Sequence, residues 1–483
     1  PLAVLSFFCL LVLAIFPDVV FYGQTFIRRD ILRYYYPMWS FSVQSLKQGV
    51  IPFWNPYVQL GVPFQANIQS CVFYPLTLFL YLPDLLYGMN LFILAHLVLC
   101  GFFTVLWMRE CGSSRWASLL SGTAFVLGGY VMSVINLTIS LSSLTYFPLI
   151  LLCFRRVIRE KTFFWRAVCG LVLAFELLAG DPAIFYATGL ALFIFSLLRT
   201  AEIFQEKRAL SFTVLIRLAQ TVSCALLLTA FQTLPFIEFI RLSTRSAPDL
   251  DKATLWSVYY NDLVSFFIPH FSDISLFFMS YWSRQSWLEN GYLGVPVLVL
   301  AWIACFHDRR KMTYYCLGLA GFSVILSLGV GGGLFTVFYE IVPFFRYIRY
   351  PARFLFLLNF SVACLAGYGF DVVRGWADSA KRSSTAGNRI ILSLLGVMTV
   401  MILIMSLFKE TIHGAIFRYA YAHLEGWTKH VWSPELVVDC LGPFIENLQR
   451  SLIFWALAGF AVYAARSVWI RKTLVSLFLF FLV

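Results

Sequence analysis

The sequence of 483 residues is 60% hydrophobic and only 12% charged, whereas soluble globular proteins have about 25% charged residues. This composition excludes an ordinary soluble enzyme or binding domain and indicates a polytopic membrane protein. The net charge of +12 is attributed to basic cytoplasmic loops rather than to nucleic-acid binding, because Lys and Arg are enriched on the cytoplasmic side of membranes.

Apolar segments recur along the whole chain, and about thirteen are predicted to span a bilayer, since a span needs roughly 20 apolar residues. They lie near residues 2–17, 89–108, 116–134, 138–154, 166–179, 182–198, 212–236, 291–306, 312–329, 352–373, 390–408, 451–466 and 473–483. The pattern predicts an all-α membrane protein, with residues 1–483 in a single transmembrane domain. Because the chain starts at Pro1 and stops within an apolar run, we expect a fragment that lacks both natural ends.

The loops between these segments alternate in composition. The short ones, such as HDRRK at 307–311 and RGWADSAKRSSTAGNR at 374–389, are rich in Lys and Arg, so the positive-inside rule assigns them to the cytoplasm. The long, aromatic loops then share the outer face. These are residues 18–88, 237–290, 330–351 and 409–450.

The first outer loop opens with an amphipathic stretch, DILRYYYPMWSFSVQSLKQ, at residues 30–48. Its apolar residues fall at helical spacing, which predicts a helix lying in the membrane interface, with a kink at Pro37. They are Ile31, Tyr34, Tyr35, Met38 and Phe41. The following GVIPFWNPYVQLGVPFQANIQSCVFYP is rich in turn-forming residues and places Asn67 and Gln69 at the membrane surface.

Asp30, at the start of this stretch, is flanked by Arg28, Arg29 and Arg33. From local chemistry it is either an ion-pair partner of Arg29 or Arg33 at the start of the helix, or a functional group on the outer face. An acidic residue in a first helical turn is favoured electrostatically in either case.

Two further carboxylates lie at the sequence LLAGDPAIFYA, Asp181 within it and Glu176 immediately before it. Asp181 precedes Pro182, which is the pattern of a helix N-cap followed by proline at the first helical position. Its functional alternative is a carboxylate presented to an outer cavity. Glu176 lies inside the preceding span, where carboxylates are rare and are functional candidates, although a buried hydrogen bond to a neighbouring helix explains Glu176 equally well.

The segment FFRYIRYPARF carries Arg346, Arg349 and Arg353 near the outer end of a span. Spacings of three and four residues put them on one face if the segment is helical. Arginine forks match phosphate geometry, so the cluster is either a site for an anionic ligand or a lipid-headgroup anchor. His270, in the outer loop 237–290, is a weaker candidate for substrate contact, and His96 is interpreted as a core histidine.

The runs DILRYYYP, IPFWNPYVQLGVPFQANIQSCVFYP and RYIRYPARFLFLLNFSVACLAGYGFD resemble the YfhO family of bacterial membrane proteins, which belongs with the C-type (GT-C) glycosyltransferases. The resemblance covers nearly the whole chain. It implies a GT-C-like fold, a multi-pass location in the bacterial cytoplasmic membrane and an active site on the outer face. Asp181 departs from the Gly-His-Pro-like stretch that the family usually has there.

The resemblance implies transfer of a sugar from a polyprenyl-phosphate-linked donor to a glycan, lipid or protein acceptor in the cell envelope. Asp30 matches the functional acidic position of the first outer loop, and Arg346, Arg349 and Arg353 are the candidates for the donor phosphate. Residues expected to line the substrate are Tyr34, Tyr35, Trp39, Asn67, Gln69, Glu176, Asp181 and His270. Many relatives carry paired acidic residues, and this chain has one, so a divalent metal cofactor is not supported.

Two other functions remain open from the sequence. A lipid or glycolipid transporter also has broken helices and a carboxylate inside the membrane, although no internal repeat is evident here. The other is a non-catalytic envelope-assembly protein with the same fold.

Overall fold

The computed structural model describes residues 1–208, 211–247, 249–268 and 287–378, together with isolated positions between 411 and 457. Three predicted spans, 390–408, 451–466 and 473–483, and the predicted outer loop 409–450 therefore lie outside the described residues. Within the described ranges the chain is predominantly helical.

The α-helices are α1 Leu2–Ile15, α2 Pro17–Phe21, α3 Tyr36–Lys47, α4 Leu85–Glu110, α5 Arg115–Leu127, α6 Gly129–Ser133, α7 Thr138–Leu144, α8 Phe147–Glu160, α9 Phe163–Leu178, α10 Pro182–Lys207, α11 Thr213–Leu228, α12 Ala230–Arg241, α13 Leu250–Ala253, α14 Val295–His307, α15 Lys311–Ser327, α16 Leu334–Ile341 and α17 Leu355–Asp378. A π-helix covers Ile31–Tyr35, and two short strands, β1 Trp54–Asn55 and β2 Val62–Pro63, pair antiparallel within the first loop. Turns of 3₁₀-helix cover Ile68–Ser70, Pro75–Tyr81, Val134–Asn136, Tyr260–Phe266, Gly329–Gly332, Phe345–Tyr347 and Pro351–Phe354.

The prediction of an all-α membrane protein is supported by the length and hydropathy of these helices. Five helical segments are long and apolar enough to cross a membrane: Leu85–Glu110, Arg115–Asn136, Thr138–Glu160, Pro182–Glu206 and Pro351–Trp376. A sixth is obtained if α11 and α12 are counted as one span, and α1 and α14 are shorter apolar helices. The total of thirteen spans and the GT-C arrangement remain predictions.

The predicted span 212–236 is not one continuous helix, because α11 and α12 meet at Thr229 with a bend of 83°. Proline has no N–H and its ring clashes with the carbonyl four residues earlier. Pro235 lies inside α12, so the carbonyl of Phe231 loses its helical donor. The side-chain amide of Gln65 replaces that donor, with Nε2 lying 2.9 Å from the Phe231 oxygen.

Pro37 distorts the predicted helix of the first loop in a similar way. The residues before it form a wider π turn, in which the N–H of Tyr36 bonds to the carbonyl of Ile31. The buried positions are Ile31, Tyr35, Met38, Trp39, Ser42 and Val43, which follow helical spacing. Tyr34 therefore points away from the core, with 38% of its surface exposed.

Close packing divides the described chain into two compact units. Of the described residues, the first unit comprises those within 1–112, 133–253 and 339–349, and the second comprises those within 113–132, 254–338 and 350–378. In the first unit, α9 packs between α8 and α11, and α4 packs against α1 and α8.

In the second unit, α17 lies among α5, α14 and α15 and is almost entirely buried. Small residues allow this close approach, as is common between helices in membranes. Gly369 of α17 faces the backbone of α14, where a Cβ atom would lie 1.8 Å from the carbonyl oxygen of Leu300. An added methyl group at this position must therefore push the two helices apart.

We expect Gly369→Ala to destabilise the protein by about 1–3 kcal/mol, the usual cost of overpacking a tight core. The matched control is Gly375→Ala in the same helix, where a Cβ atom meets nothing within 4 Å and alanine is the better helix former. Thermal unfolding of the purified protein in detergent measures both. A lower melting temperature for Gly375→Ala than for Gly369→Ala would contradict the packing argument.

Candidate functional site

Three residues that the sequence nominates as substrate-lining come together on the first loop. The hydroxyl of Tyr34 donates to Oε1 of Gln69 at 2.8 Å, and Nδ2 of Asn67 donates to the same hydroxyl at 3.2 Å. The Tyr34 side chain is exposed, and those of Asn67 and Gln69 are half-buried. A phenol and two amides thus form a hydrogen-bonding surface that is open on one side.

Local backbone geometry fixes this surface, which we call the Tyr34 cluster (Tyr34, Asn67 and Gln69). Asn67 caps the 3₁₀ turn Ile68–Ser70, because its Oδ1 accepts from the N–H of Gln69 at 3.2 Å. Cys71 ends the turn in a left-handed conformation, with φ of 53°. Asn67 therefore has a structural role as a cap while its Nδ2 still faces Tyr34, and its expected contact with substrate remains a prediction.

Asp30 lies at the start of the same helical segment, one turn before Tyr34, and its side chain is exposed. Among the described residues, the structure gives its carboxylate neither an ion pair nor a hydrogen bond. The local ion pair with Arg29 or Arg33 is therefore not formed. The charge on Asp30 is close enough to add to the effect of burial, which is the main cause that raises the pKa of Tyr35.

The pKa of the Tyr34 phenol is also shifted by its surroundings. Loss of hydration raises the pKa of the Tyr34 phenol, against the opposing effects of the Asn67 hydrogen bond and of the positive charge on Arg245. Arg245, in the loop after α12, is thus a charged neighbour of the cluster that the sequence did not nominate. No local pattern links the two residues, because they lie more than two hundred positions apart in the chain.

Asp181 is a buried helix cap, as one of its two sequence interpretations predicts. Its Oδ1 accepts from the N–H groups of Ala183 and Ile184 at 3.0 and 3.4 Å. Its Oδ2 accepts from Ser140 at 2.5 Å, and the side chain has no exposed surface. Both carboxylate oxygens are therefore occupied in holding the break between α9 and α10.

The rest of this break is held by side chains from α7 and from the first loop. Ser142 and Cys71 both bond to the carbonyl of Ala179, at 3.1 and 3.3 Å. Ser143 accepts from the N–H of Asp181 at 3.2 Å. A Cβ atom on Gly180 would lie 2.8 Å from the sulfur of Cys71, so the glycine is what allows the first loop to pack against the break.

Glu176 lies one turn before this break and is fully buried. Its Oε1 accepts from the hydroxyl of Thr188 at 2.6 Å. Its Oε2 has no hydrogen-bond partner in the part of the chain that the structure describes. The hydrogen bond to a neighbouring helix that the sequence suggested is therefore present, but it satisfies only half of the carboxyl group.

Two aromatic candidates belong to the core rather than to an open surface. Tyr35 and Trp39 are 3% and 1% exposed, and their ring centroids lie 5.3 Å apart. Trp39 also packs against Phe92 of α4 at 5.2 Å. The π turn explains this placement, because it directs Tyr35 inward and Tyr34 outward.

The histidine candidates have different outcomes. His96 is a satisfied core residue, as predicted: Nδ1 lies 2.6 Å from the carbonyl of Phe92, and Nε2 lies 2.6 Å from the hydroxyl of Tyr74. Because a carbonyl only accepts, Nδ1 carries the proton and Nε2 accepts from Tyr74. His270 lies outside the described residues.

The three arginine candidates do not lie on one continuous helix. Arg346 belongs to the 3₁₀ turn Phe345–Tyr347, Arg353 belongs to the turn Pro351–Phe354, and Tyr350 between them is left-handed, with φ of 69°. The guanidinium carbon of Arg353 lies 5.6 Å from the ring centroid of Trp287 and 5.2 Å from that of Tyr350. Arg346 is exposed and Arg349 is half-buried.

A buried pair of amides connects the first loop to α12, and the sequence analysis missed it. Gln65 donates to the Phe231 carbonyl, and Gln232 donates back to the main-chain oxygen of Gln65 at 2.8 Å. Beside this pair is an apolar cavity of about 500 Å³, lined by Phe53, Gln65, Phe73, Phe231 and Pro235. Pro235, four residues after Phe231, was the available signal.

No group of three or more His, Cys, Asp or Glu side chains that could hold a metal ion occurs among the described residues. A comparison of the sequence with protein-family models finds no match, and a search of curated proteins finds none either. The resemblance to the YfhO family therefore remains an expectation from the quoted motifs.

We expect Gln65→Leu to destabilise the protein by about 1–3 kcal/mol, because it leaves the buried carbonyl of Phe231 without a donor. Pro235→Ala in the same background restores an N–H to that carbonyl and should recover part of the loss. The four variants of this double-mutant cycle are compared by thermal unfolding in detergent. Equal effects of Pro235→Ala with and without Gln65 would contradict the replacement of a helical bond by the Gln65 amide.

Proposed function

We propose that this chain is a membrane glycosyltransferase of the GT-C type that transfers a sugar from a polyprenyl-phosphate-linked donor to a hydroxyl acceptor at the outer face of the bacterial cytoplasmic membrane. The observation that carries the proposal is the exposed carboxylate of Asp30, which has no charge partner among the described residues and lies one turn from the Tyr34 cluster. Asp181, by contrast, is occupied as a cap.

In the proposed reaction, an acceptor hydroxyl attacks the anomeric carbon of the donor sugar. A bond forms between that oxygen and the anomeric carbon, and the bond to the phosphate oxygen breaks. The acceptor proton passes to the Asp30 carboxylate, which acts as a general base, and the polyprenyl phosphate leaves with the negative charge. Phenol and amide groups suit sugar hydroxyls because they both donate and accept hydrogen bonds, which gives the Tyr34 cluster the role of a sugar-binding surface.

The leaving phosphate needs cations aimed at its developing charge. Arg346, Arg349 and Arg353 remain the candidates for this contact. Cation–π contacts with Trp287 and Tyr350 orient the guanidinium group of Arg353. An arginine in such a contact keeps its N–H donors, which lie in the plane of the guanidinium group, for a phosphate.

A lipid or glycolipid transporter is the second candidate. It is favoured by the buried Glu176, whose Oε2 has no partner in the described chain, and by the 83° bend between α11 and α12. Discontinuous helices and buried carboxylates near the middle of the membrane are features of transporter sites. Neither feature requires an exposed Asp30, so the two functions predict different effects of changing that residue.

We expect Asp30→Asn to reduce sugar transfer by roughly 100-fold or more, because the amide cannot accept the acceptor proton. The assay is transfer from polyprenyl-phosphate sugars by the purified protein in lipid. The matched control is Asp84→Asn, also an exposed aspartate of the first loop. Asp84 caps α4 through the N–H groups of Leu86 and Tyr87, and asparagine caps equally well, so that variant should keep near-normal transfer.

Near-normal transfer by Asp30→Asn would remove the catalytic role of the carboxylate. Two results together would favour the transporter. The wild type would move lipid across the bilayer but transfer sugar from no donor, and Glu176→Gln would reduce this lipid movement whereas Asp30→Asn would not.

A further inference from the structure

Two arginines at one end of the first unit have no carboxylate beside them. Arg166, in the first turn of α9, donates to Oε1 of Gln220 on α11 at 3.1 Å. Arg217, one turn before Gln220 on α11, donates to the carbonyl of Ile158 at 3.2 Å. The bond to Gln220 holds Arg166 beside the turn of α11 that carries Arg217. Neither guanidinium forms an ion pair within the described ranges of the chain, although each has five N–H donors.

Three other arginines at the same end form ion pairs. Arg156 and Arg159 both bind Glu110, at 2.5 and 2.8 Å, and both reach Glu160. Arg199 of α10 binds Glu202. The contrast matters because two half-buried cations close to each other near helix N-termini are unfavourable, unless an anion joins them.

Exposed phenylalanines lie near this arginine pair in the chain. Phe163 and Phe164 at the start of α9 are 74% and 64% exposed, and Phe212 just before α11 is 60% exposed. The Arg166 guanidinium lies 5.8 Å from the ring centroid of Phe163. Exposed apolar side chains of this size mark a surface that contacts a membrane or another partner, so the anion at this position is expected to be joined to an acyl chain.

We propose that Arg166 and Arg217 form a binding site for the phosphate of an anionic phospholipid, with Phe163, Phe164 and Phe212 against its acyl chains. The site is separate from the proposed catalytic surface and does not depend on the chain being a transferase. Arginine forks bind phosphate oxygens with two parallel hydrogen bonds, and basic positions between helices at the cytoplasmic side are known to hold anionic headgroups. The positive-inside rule assigns this end of the unit to that side.

The test compares binding of phosphatidylglycerol and phosphatidylcholine with identical acyl chains to the purified full chain, by native mass spectrometry. We expect the wild type to prefer phosphatidylglycerol. The double variant Arg166→Gln, Arg217→Gln should lose roughly 10- to 30-fold in affinity for that lipid, at about 1 kcal/mol for each arginine near the headgroup, with little change for phosphatidylcholine. Lysine at both positions keeps the charge without the fork and should lose less.

The matched control is Arg199→Gln, which removes one charge at the same end but from an arginine already paired with Glu202. It should retain the wild-type preference. Three results would each overturn the lipid site: an equal loss of phosphatidylglycerol affinity in Arg199→Gln, equal binding of the two lipids by the wild type, or binding of inorganic phosphate alone as tight as that of phosphatidylglycerol. If the glutamine variant does not fold, the lysine variant decides, since unchanged affinity and unchanged salt dependence there would show that the fork has no role.

Discussion

Every backbone break inside an apolar bundle must find hydrogen-bond partners from side chains, and the arrangement of the first unit depends on this constraint. The break between α9 and α10 is held by Ser142, Ser143 and Asp181, with Cys71 of the first loop on the same carbonyl as Ser142. The Phe231 carbonyl, which Pro235 leaves without a donor inside α12, is held by Gln65 of the first loop. In both places the loop supplies polar groups that a straight helix would not need.

This constraint also fixes the position of the Tyr34 cluster. Ile68–Ser70, the turn that Asn67 caps, lies in the chain between Gln65 and Cys71, the two residues that the breaks hold. The loop is therefore attached on both sides of the turn, by two side chains, Gln65 and Cys71, that are buried. A binding surface attached in this way keeps its geometry without the cost of ordering a mobile loop.

The same accounting separates structural carboxylates from available ones. Asp181 and Asp84 cap helices, and Glu110 and Asp371 bind arginines. A carboxylate that caps a helix or binds an arginine needs no chemical role to explain its presence. Asp30, exposed and without an ion pair among the described residues, has no such explanation in the fold, which is why the proposed chemistry is placed on it rather than on Asp181.

Local sequence patterns predicted what short-range physics controls. Helices were found wherever a predicted span falls within the described residues, and the cap at Asp181 and the core role of His96 were confirmed. The apolar face was predicted to include both Tyr34 and Tyr35, and the exposure of Tyr34 and the burial of Trp39 were not predicted, since they depend on the π turn Ile31–Tyr35. The hydrogen bonds between Gln65 and Gln232 join residues 167 positions apart, and a local sequence pattern carries no information on such a pair.

Helix α9 connects the two proposed sites, and its length has a physical consequence. Its 16 residues make a rod of about 24 Å at 1.5 Å per residue, whereas the hydrocarbon core of a bilayer is about 30 Å thick. If α9 crosses the membrane, as predicted for residues 166–179, its two ends cannot both reach the headgroups of an undeformed bilayer. At one end, Cys71 and the serines of α7 supply the polar contacts that headgroups or water would otherwise provide. At the other end, the proposed lipid site would let the long side chain of Arg166 extend toward the headgroups while Phe163 and Phe164 remain among the acyl chains. The shortness of the predicted span is thus consistent both with the polar contacts that the first loop makes at one end and with the anionic lipid proposed at the other.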